Sequence, residues 1–211
     1  MKITKFVHSC LLVETPDRVA LFDPGVMSSA ALNVDQISRL DDIFITHIHA
    51  DHLDTQLVTK LVGKFPDVRI TSTPEVVSKL KELNISATDK PSEGVSFFDS
   101  PHEDVKPLAE PPQQIGIHFL DVLSHPGDSH SFHETKAIMA LPVTAPWGTS
   151  IRAINLALEL KPQHILPIHD WHWRDEAREQ TYDRFERIFG DQDITFHKLQ
   201  TGIPGDIDVQ T

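Results

Sequence analysis

Seven consecutive residues, Thr46-His47-Ile48-His49-Ala50-Asp51-His52, constrain this chain more than any other stretch. They place three imidazoles and one carboxylate within six positions, His47 to His52. Immediately before them, Ile43-Phe44-Ile45 reads as a buried strand of an α/β sheet. Immediately after, Thr55 to Lys64 has helical spacing, with Leu57, Val58, Leu61 and Val62 apolar. The cluster is therefore expected on a strand-to-helix loop, where binding and catalytic groups are usually mounted.

His-x-His-x-Asp-His suits two metal ions better than one. In a tight loop His47 and His49 can point toward one cation while Asp51 and His52 turn toward a second. Neutral imidazole and carboxylate are ligands that zinc accepts at about 2.0–2.2 Å. The competing reading, a polar loop of solvated histidines, does not account for partners of the right type that recur downstream. Thirteen histidines are an excess for 211 residues, and metal chemistry is the obvious use for them.

The length fits one domain, expected over residues 1–211, with a sizeable core. With 19 basic against 31 acidic residues the formal charge is −12. That disfavours a nucleic-acid partner, because phosphate contacts need clustered Lys and Arg. A small-molecule substrate is expected instead. Cys10 is the single cysteine, lies in an apolar run and reads as a buried core thiol. The N-terminus alternates like a strand, and no apolar run approaches the ~20 residues that cross a bilayer. The expected location is cytoplasmic.

Residues 2–8, 11–15 and 18–22 read as three short strands, the last ending in Phe22-Asp23-Pro24-Gly25. Asp23 there either orients a ligand histidine by a hydrogen bond or makes a plain Asx turn. His8 faces a pocket or merely ends a strand. A helix is expected over Asn33–Leu40, a strand over Val68–Thr71, and a helix opened by Thr73-Pro74-Glu75. Residues 84–124 turn strand-rich, with 95–98 and 115–120 the best candidates. His102, between two expected strands, is the natural third ligand for the first metal. Residues 106–112 form a proline-rich stretch that would suit a lid. Asp128, after the Pro126-Gly127 turn, is placed to share its carboxylate between two cations. His125 beside it suits a supporting hydrogen bond, and His130 and His133 a solvated or substrate-facing place. Strand 138–143, helix 149–160 and strand 164–167 make a βαβ unit. That strand leads into His169, which fits the last ligand of the second metal. Trp171, His172 and Trp173 wall a pocket or simply pack, ahead of a helix over 173–189 stopped by Gly190. His118, His164 and His197 read as structural.

Taken in order, His47-x-His49-x-Asp51-His52, His102, Asp128 and His169 resemble the metallo-β-lactamase superfamily. Further similarity is to its small single-domain branch of metal-dependent hydrolases, which includes ascorbate-phosphate lactonases. It is carried by residues 7–13, Phe22-Asp23-Pro24, His125-Pro126-Gly127-Asp128-Ser129 and Lys161 to His169. The resemblance implies an α/β fold, a four-layer αββα sandwich of two mixed β-sheets flanked by helices, with a dinuclear metal site at one sheet edge. It implies His47, His49 and His102 on one metal, Asp51, His52 and His169 on the other, and Asp128 bridging. Two divalent ions are expected, zinc by the donor set, although manganese or iron accept the same ligands.

The implied activity is hydrolysis of a small ester, lactone or amide, phosphorylated or not, by a metal-bridging hydroxide, with Asp51 as the catalytic proton carrier. A phosphodiesterase acting on phospholipid or nucleotide is the alternative. The nucleolytic members usually insert a further domain and need basic surface, which this acidic chain lacks. A non-hydrolytic metal-binding protein or a redox di-iron site is the third reading; redox members usually carry Glu where this chain has His49.

Overall fold

The computed structural model describes residues 1–209, so positions 210 and 211 of the expected domain lie outside the described residues. The chain divides into two compact units, residues 1–93 with 112–115 and 199–208, and residues 94–111 with 116–198. The first contains strands β1 (Lys2–Lys5), β2 (Leu11–Glu14), β3 (Val19–Phe22) and β4 (Asp42–Phe44), helix α1 (Thr55–Lys64), strand β5 (Arg69–Thr71) and helix α2 (Pro74–Lys81). Strands β6 (Val95–Phe98), β7 (Gly116–Phe119), β8 (Leu123–His125) and β9 (Ile138–Pro142) follow in the second. That unit continues with helix α3 (Ser150–Leu160), strand β10 (His164–Ile168), helix α4 (Asp175–Gly190) and strand β11 (Thr195–Phe196). Strand β12 (Pro204–Asp206) then returns to the first unit.

In the first unit the sheet order is β12-β1-β2-β3-β4-β5. β1, β2 and β3 pair antiparallel, whereas β4 joins β3 and β5 joins β4 in parallel. Parallel pairing needs crossovers, and α1 supplies the one between β4 and β5. Its start is set by Asp54, whose side chain accepts from the backbone N–H groups of Gln56 and Leu57. α2 starts at Thr73 and Pro74 as expected, with the Thr73 hydroxyl accepting from Val76 N–H. Leu57, Val58 and Leu61 of α1 and Val76 and Leu80 of α2 share one buried cluster with Leu21, Ile43, Ile45 and Ile70.

The second sheet runs β11-β10-β9-β8-β7-β6. β8 to β11 are parallel and β6 and β7 are antiparallel additions. β9, α3 and β10 form the expected βαβ unit, with Ile138 opposite His164 and Pro142 opposite Ile168. Met139, Leu141 and Ile165 pack with Ala153, Leu156 and Ala157 of α3 and with Tyr182, Phe185 and Phe189 of α4. Both sheets are mixed and both carry helices, which is the α/β class expected from the sequence.

Four elements depart from expectation. The helix expected over Asn33–Leu40 is only a 3-10 turn, Val34–Gln36. Lys64 explains why: its ammonium donates to the carbonyls of Val34, Asp35 and Ile37 at 2.9, 3.0 and 2.7 Å. Those are the acceptors that a continuing helix would have used. Gly190 does not stop α4 but closes its last turn, and Asp191 caps it. Strands β11 and β12 are short and had no pattern to announce them.

Candidate metal centre

In the first unit the motif occupies the loop between β4 and α1, and Asp23 organises it. Asp23 follows β3 with a left-handed backbone, φ +43°. Its own N–H donates to the carbonyl of Phe44 at 2.8 Å, and its side chain is fully buried. One carboxylate oxygen accepts from Thr46 N–H at 2.7 Å and the other from the Thr46 hydroxyl at 2.9 Å. The second oxygen also receives His52 Nδ1–H at 2.7 Å. Because the Thr46 hydroxyl spends its proton on Asp23, it accepts from His47 Nδ1 at 3.0 Å. Both imidazoles thus carry their proton on Nδ1 and present Nε2 as a lone pair.

The remaining donors sit close by. His47 lies with its ring centroid 4.0 Å from that of His52 and 4.8 Å from that of His49. His8 reaches the loop through a tight turn, closed by Phe6 N–H on the Cys10 carbonyl, and has φ +67°. Its Nε2 lies 3.1 Å from the carboxylate of Asp51. One donor atom each of His8, Asp51 and His52 falls within 4.8 Å of the others. The loop is seated on the 23–28 turn, where Val26 N–H donates to the Ala50 carbonyl and Asp54 N–H to that of Pro24, both at 2.8 Å. Gly25 permits this approach: a Cβ there would stand 1.8 Å from the carbonyl oxygen of Asp51. Cys10, by contrast, is wholly buried and its thiol is pushed far above the usual range by burial.

In the second unit three strand ends supply donors. His102 follows β6, and its Nδ1 donates to the Glu103 carbonyl at 2.6 Å. Asp128 follows β8 through Gly127, whose φ of +65° turns the chain. His125 supports that turn by accepting Gly127 N–H on Nδ1 at 3.3 Å. His169 ends β10 with φ +66° and donates Nδ1–H to the Thr144 carbonyl at 3.0 Å. Carbonyls only accept, so His102 and His169 also keep Nε2 for another use. That atom of His169 lies 3.0 Å from one oxygen of Asp128, and that of His102 3.8 Å from the other. Nε2 and carboxylate oxygen at such distances are held together by a proton or a metal cation between them. The donor set therefore fits a divalent metal.

Further residues hold this arrangement, among them His130, expected to be solvated or substrate-facing and instead buried at 7% exposure. Trp147 sits at the tip of a four-residue turn closed by Ala145 and Gly148, and its indole N–H donates to Asp128 at 3.3 Å. Its ring stands edge-on to those of His130 and His169, at 5.1 and 5.3 Å. His130 donates Nε2–H to the Pro142 carbonyl at 2.6 Å, and burial lowers its pKa. Glu103 accepts from His130 N–H, the Ser131 hydroxyl and Arg152. Burial alone would raise its pKa, but those donors together bring it below the ordinary value. Asp170 is buried against α4, accepting from the Tyr182 hydroxyl and pairing with Arg178. Burial, reinforced by the Asp170 charge, raises the Tyr182 pKa and keeps the phenol a donor.

Other expected candidates lie elsewhere. Trp171 and His172 are exposed and stack edge to face at 5.8 Å, while Trp173 packs against the α4 core. His133 is exposed, and residues 103–111 are largely so, Leu108 to 82%. His118 bridges the Ser124 hydroxyl and Glu134, and His164 pairs with His197 at 3.1 Å. Those three belong to the framework.

Comparison with known proteins bears on the whole arrangement. The family model of the metallo-β-lactamase superfamily matches residues 3–135. Protein Rv0786c of Mycobacterium tuberculosis is 29% identical over 199 residues, covering 89% of this chain and 92% of that protein. A candidate metal-dependent hydrolase of Parabacteroides distasonis superimposes with a TM-score of 0.70 at 20% identity, covering 94% of this chain and 93% of its own. Igni18, a metallo hydrolase of the archaeon Ignicoccus hospitalis, gives 0.70 at 16% identity, covering 98% and 99%. CmlA, a diiron β-hydroxylase of Streptomyces venezuelae, gives 0.64 at 14% identity; the match covers 99% of this chain but 54% of that one. At these identities the solved structures speak for the fold. No helix among the described residues is long and apolar enough to cross a membrane.

Proposed function

The chain belongs to the metallo-β-lactamase superfamily, and from that premise we propose that it is a dinuclear metal-dependent hydrolase of a small ester, lactone or amide, phosphorylated or not. His47, His49 and His102 are assigned to one divalent ion, Asp51, His52 and His169 to the other, and Asp128 to both. One observation carries this reading. Four of the five imidazoles assigned as ligands commit Nδ1 to a protein acceptor, namely Asp23, Thr46, and the carbonyls of Glu103 and Thr144. Each thereby reserves Nε2, which is how metal-ligating histidines are normally oriented. The framework histidine His118 differs, engaging both ring nitrogens, Nδ1 with the Ser124 hydroxyl and Nε2 with Glu134.

When bound, such cations supply Lewis acidity and a water whose pKa falls toward neutrality. The protein's part is then to place donors and move a proton. Asp51, with its side chain 27% exposed and 3.1 Å from His8 Nε2, is the carboxylate we assign to take the proton from the attacking water and return it to the leaving group. His8 steadies that carboxylate. Asp23 fixes the tautomers of His52 and His47, and Trp147 holds Asp128. Zinc is the favoured ion for five imidazoles and two carboxylates, and the structurally similar proteins include metallo hydrolases.

The test is a panel of lactones, esters, amides and phosphodiesters offered to the zinc-loaded, manganese-loaded and iron-loaded protein. Turnover of a carbonyl substrate that is abolished by chelator, restored by metal and reduced at least about a hundredfold by Asp51→Asn supports the proposal. Turnover confined to phosphodiesters transfers the same residues to the alternative reading. Oxygen consumption with the iron form and no hydrolysis of any substrate overturns it.

A further inference from the structure

We propose that Asp170 is a positioning residue for His169, and that α4 is the clamp through which it acts; the inference rests on the metal-centre reading above. His169 leaves β10 with a left-handed backbone, φ +66°. A residue with a Cβ holds such a conformation only where its surroundings over-determine it. Two anchors do so here. On one side the imidazole donates Nδ1–H to the Thr144 carbonyl at 3.0 Å. On the other, the very next side chain is fastened to α4.

Asp170 is 3% exposed. Its carboxylate accepts from the Tyr182 hydroxyl and lies 3.1 Å from Nε of Arg178. The Asp170 carbonyl accepts from Trp173 N–H, and Arg178 donates to the Trp173 carbonyl, both at 3.2 Å. The turn after β10 is thereby stapled to the first turns of α4. Two consecutive side chains are pulled apart: Asp170 toward the helix, and His169 toward Asp128, where its Nε2 stands 3.0 Å from a carboxylate oxygen. Releasing Asp170 lets the 169–170 peptide relax to an ordinary φ, and that rotation swings Nε2 away from Asp128. Joining α4 to the sheet is a purely structural use of the same contacts. Positioning adds something that packing does not, a change in how the protein presents a ligand to a cation.

Tyr182→Phe removes one hydroxyl and keeps the core volume. Three quantities are measured on the full chain: zinc affinity by competition with a chromophoric chelator, the visible spectrum of the cobalt-substituted protein, and the thermal midpoint of the metal-free protein. The expected result is a folded variant whose zinc affinity falls about 10- to 100-fold, with altered cobalt bands. Arg178→Gln, at the partly exposed end of the clamp, moves both readouts in the same direction by less and serves should Tyr182→Phe not fold. Phe189→Leu, in the same core but without a polar atom, lowers the midpoint and leaves zinc affinity and the cobalt spectrum unchanged. Wild-type metal readouts in both clamp variants overturn the inference, as does a loss of affinity that merely follows the midpoint in all three. Wild-type protein that takes up neither zinc nor cobalt overturns the metal-centre reading, and this inference with it.

Discussion

At the scale of single residues, the chemistry turns on which ring nitrogen carries the proton, and Asp23 decides that for two histidines at once. Its carboxylate receives His52 Nδ1–H directly and His47 through the Thr46 hydroxyl. Asp23→Asn keeps the size but turns an amide NH2 toward one of those donors. The expected outcome is a folded protein whose zinc affinity, read by calorimetric titration, drops about 10- to 100-fold. An unchanged affinity shows that the tautomers are set elsewhere. The sequence exposed much of this level. The histidines and aspartates of the motif stand out because several metal-type donors seldom crowd into six positions, and the turn Phe22-Asp23-Pro24 marked Asp23. Trp147, Thr46 and Asp170 stayed hidden because indole N–H, hydroxyl and carboxylate groups have many uses. Only the fold shows that Trp147 meets Asp128 or that Asp170 meets Tyr182.

At the scale of elements, strand ends and tight turns do the placing. Asp23 and His169 sit in left-handed backbone directly after a strand, and His8 does so three residues beyond β1, so each side chain is redirected from the strand's alternation. Periodicity located the strands, since β4, β9 and β10 are nearly continuous apolar runs. It could not show that Lys64 would take the carbonyls of Val34, Asp35 and Ile37 and cut a helix short, because that contact joins positions about 30 apart. Gly25 makes the sharpest prediction here. Gly25→Ala drives a methyl to 1.8 Å from the Asp51 carbonyl oxygen, so the motif loop must lift off its turn. Overpacking of this kind costs about 1–3 kcal/mol, visible as a lower denaturant midpoint and reduced metal uptake. A variant with wild-type stability and uptake contradicts the packing of residues 49–54 on the 23–28 turn.

At the scale of the whole molecule, stability depends on pH through buried histidines that the fold prefers neutral. Burial, with the His164 charge adding to it, lowers the His197 pKa from 6.5 to about 4. Between those values the unfolded chain binds the extra proton and the folded chain does not, so stability rises with pH across that window and the contribution is lost as pH falls through it. In metal-free protein held in chelator, His197→Gln is expected to flatten the slope of unfolding free energy between about pH 5 and 6.5. It will not abolish it, since the pKa values of His118 and His130 are lowered as well. A slope as steep as the wild type's removes His197 from the account. Metal acts on the same balance from the folded side, adding about 2.7 kcal/mol at a hundredfold excess over Kd. The most direct measurement is therefore metal content per chain, by mass spectrometry on untagged protein purified without chelator. We predict about two equivalents of divalent metal in the wild type, falling in Asp128→Ala and His169→Ala. Protein that carries none, and takes up none when zinc, manganese or iron is added, contradicts the dinuclear centre on which the proposed function stands.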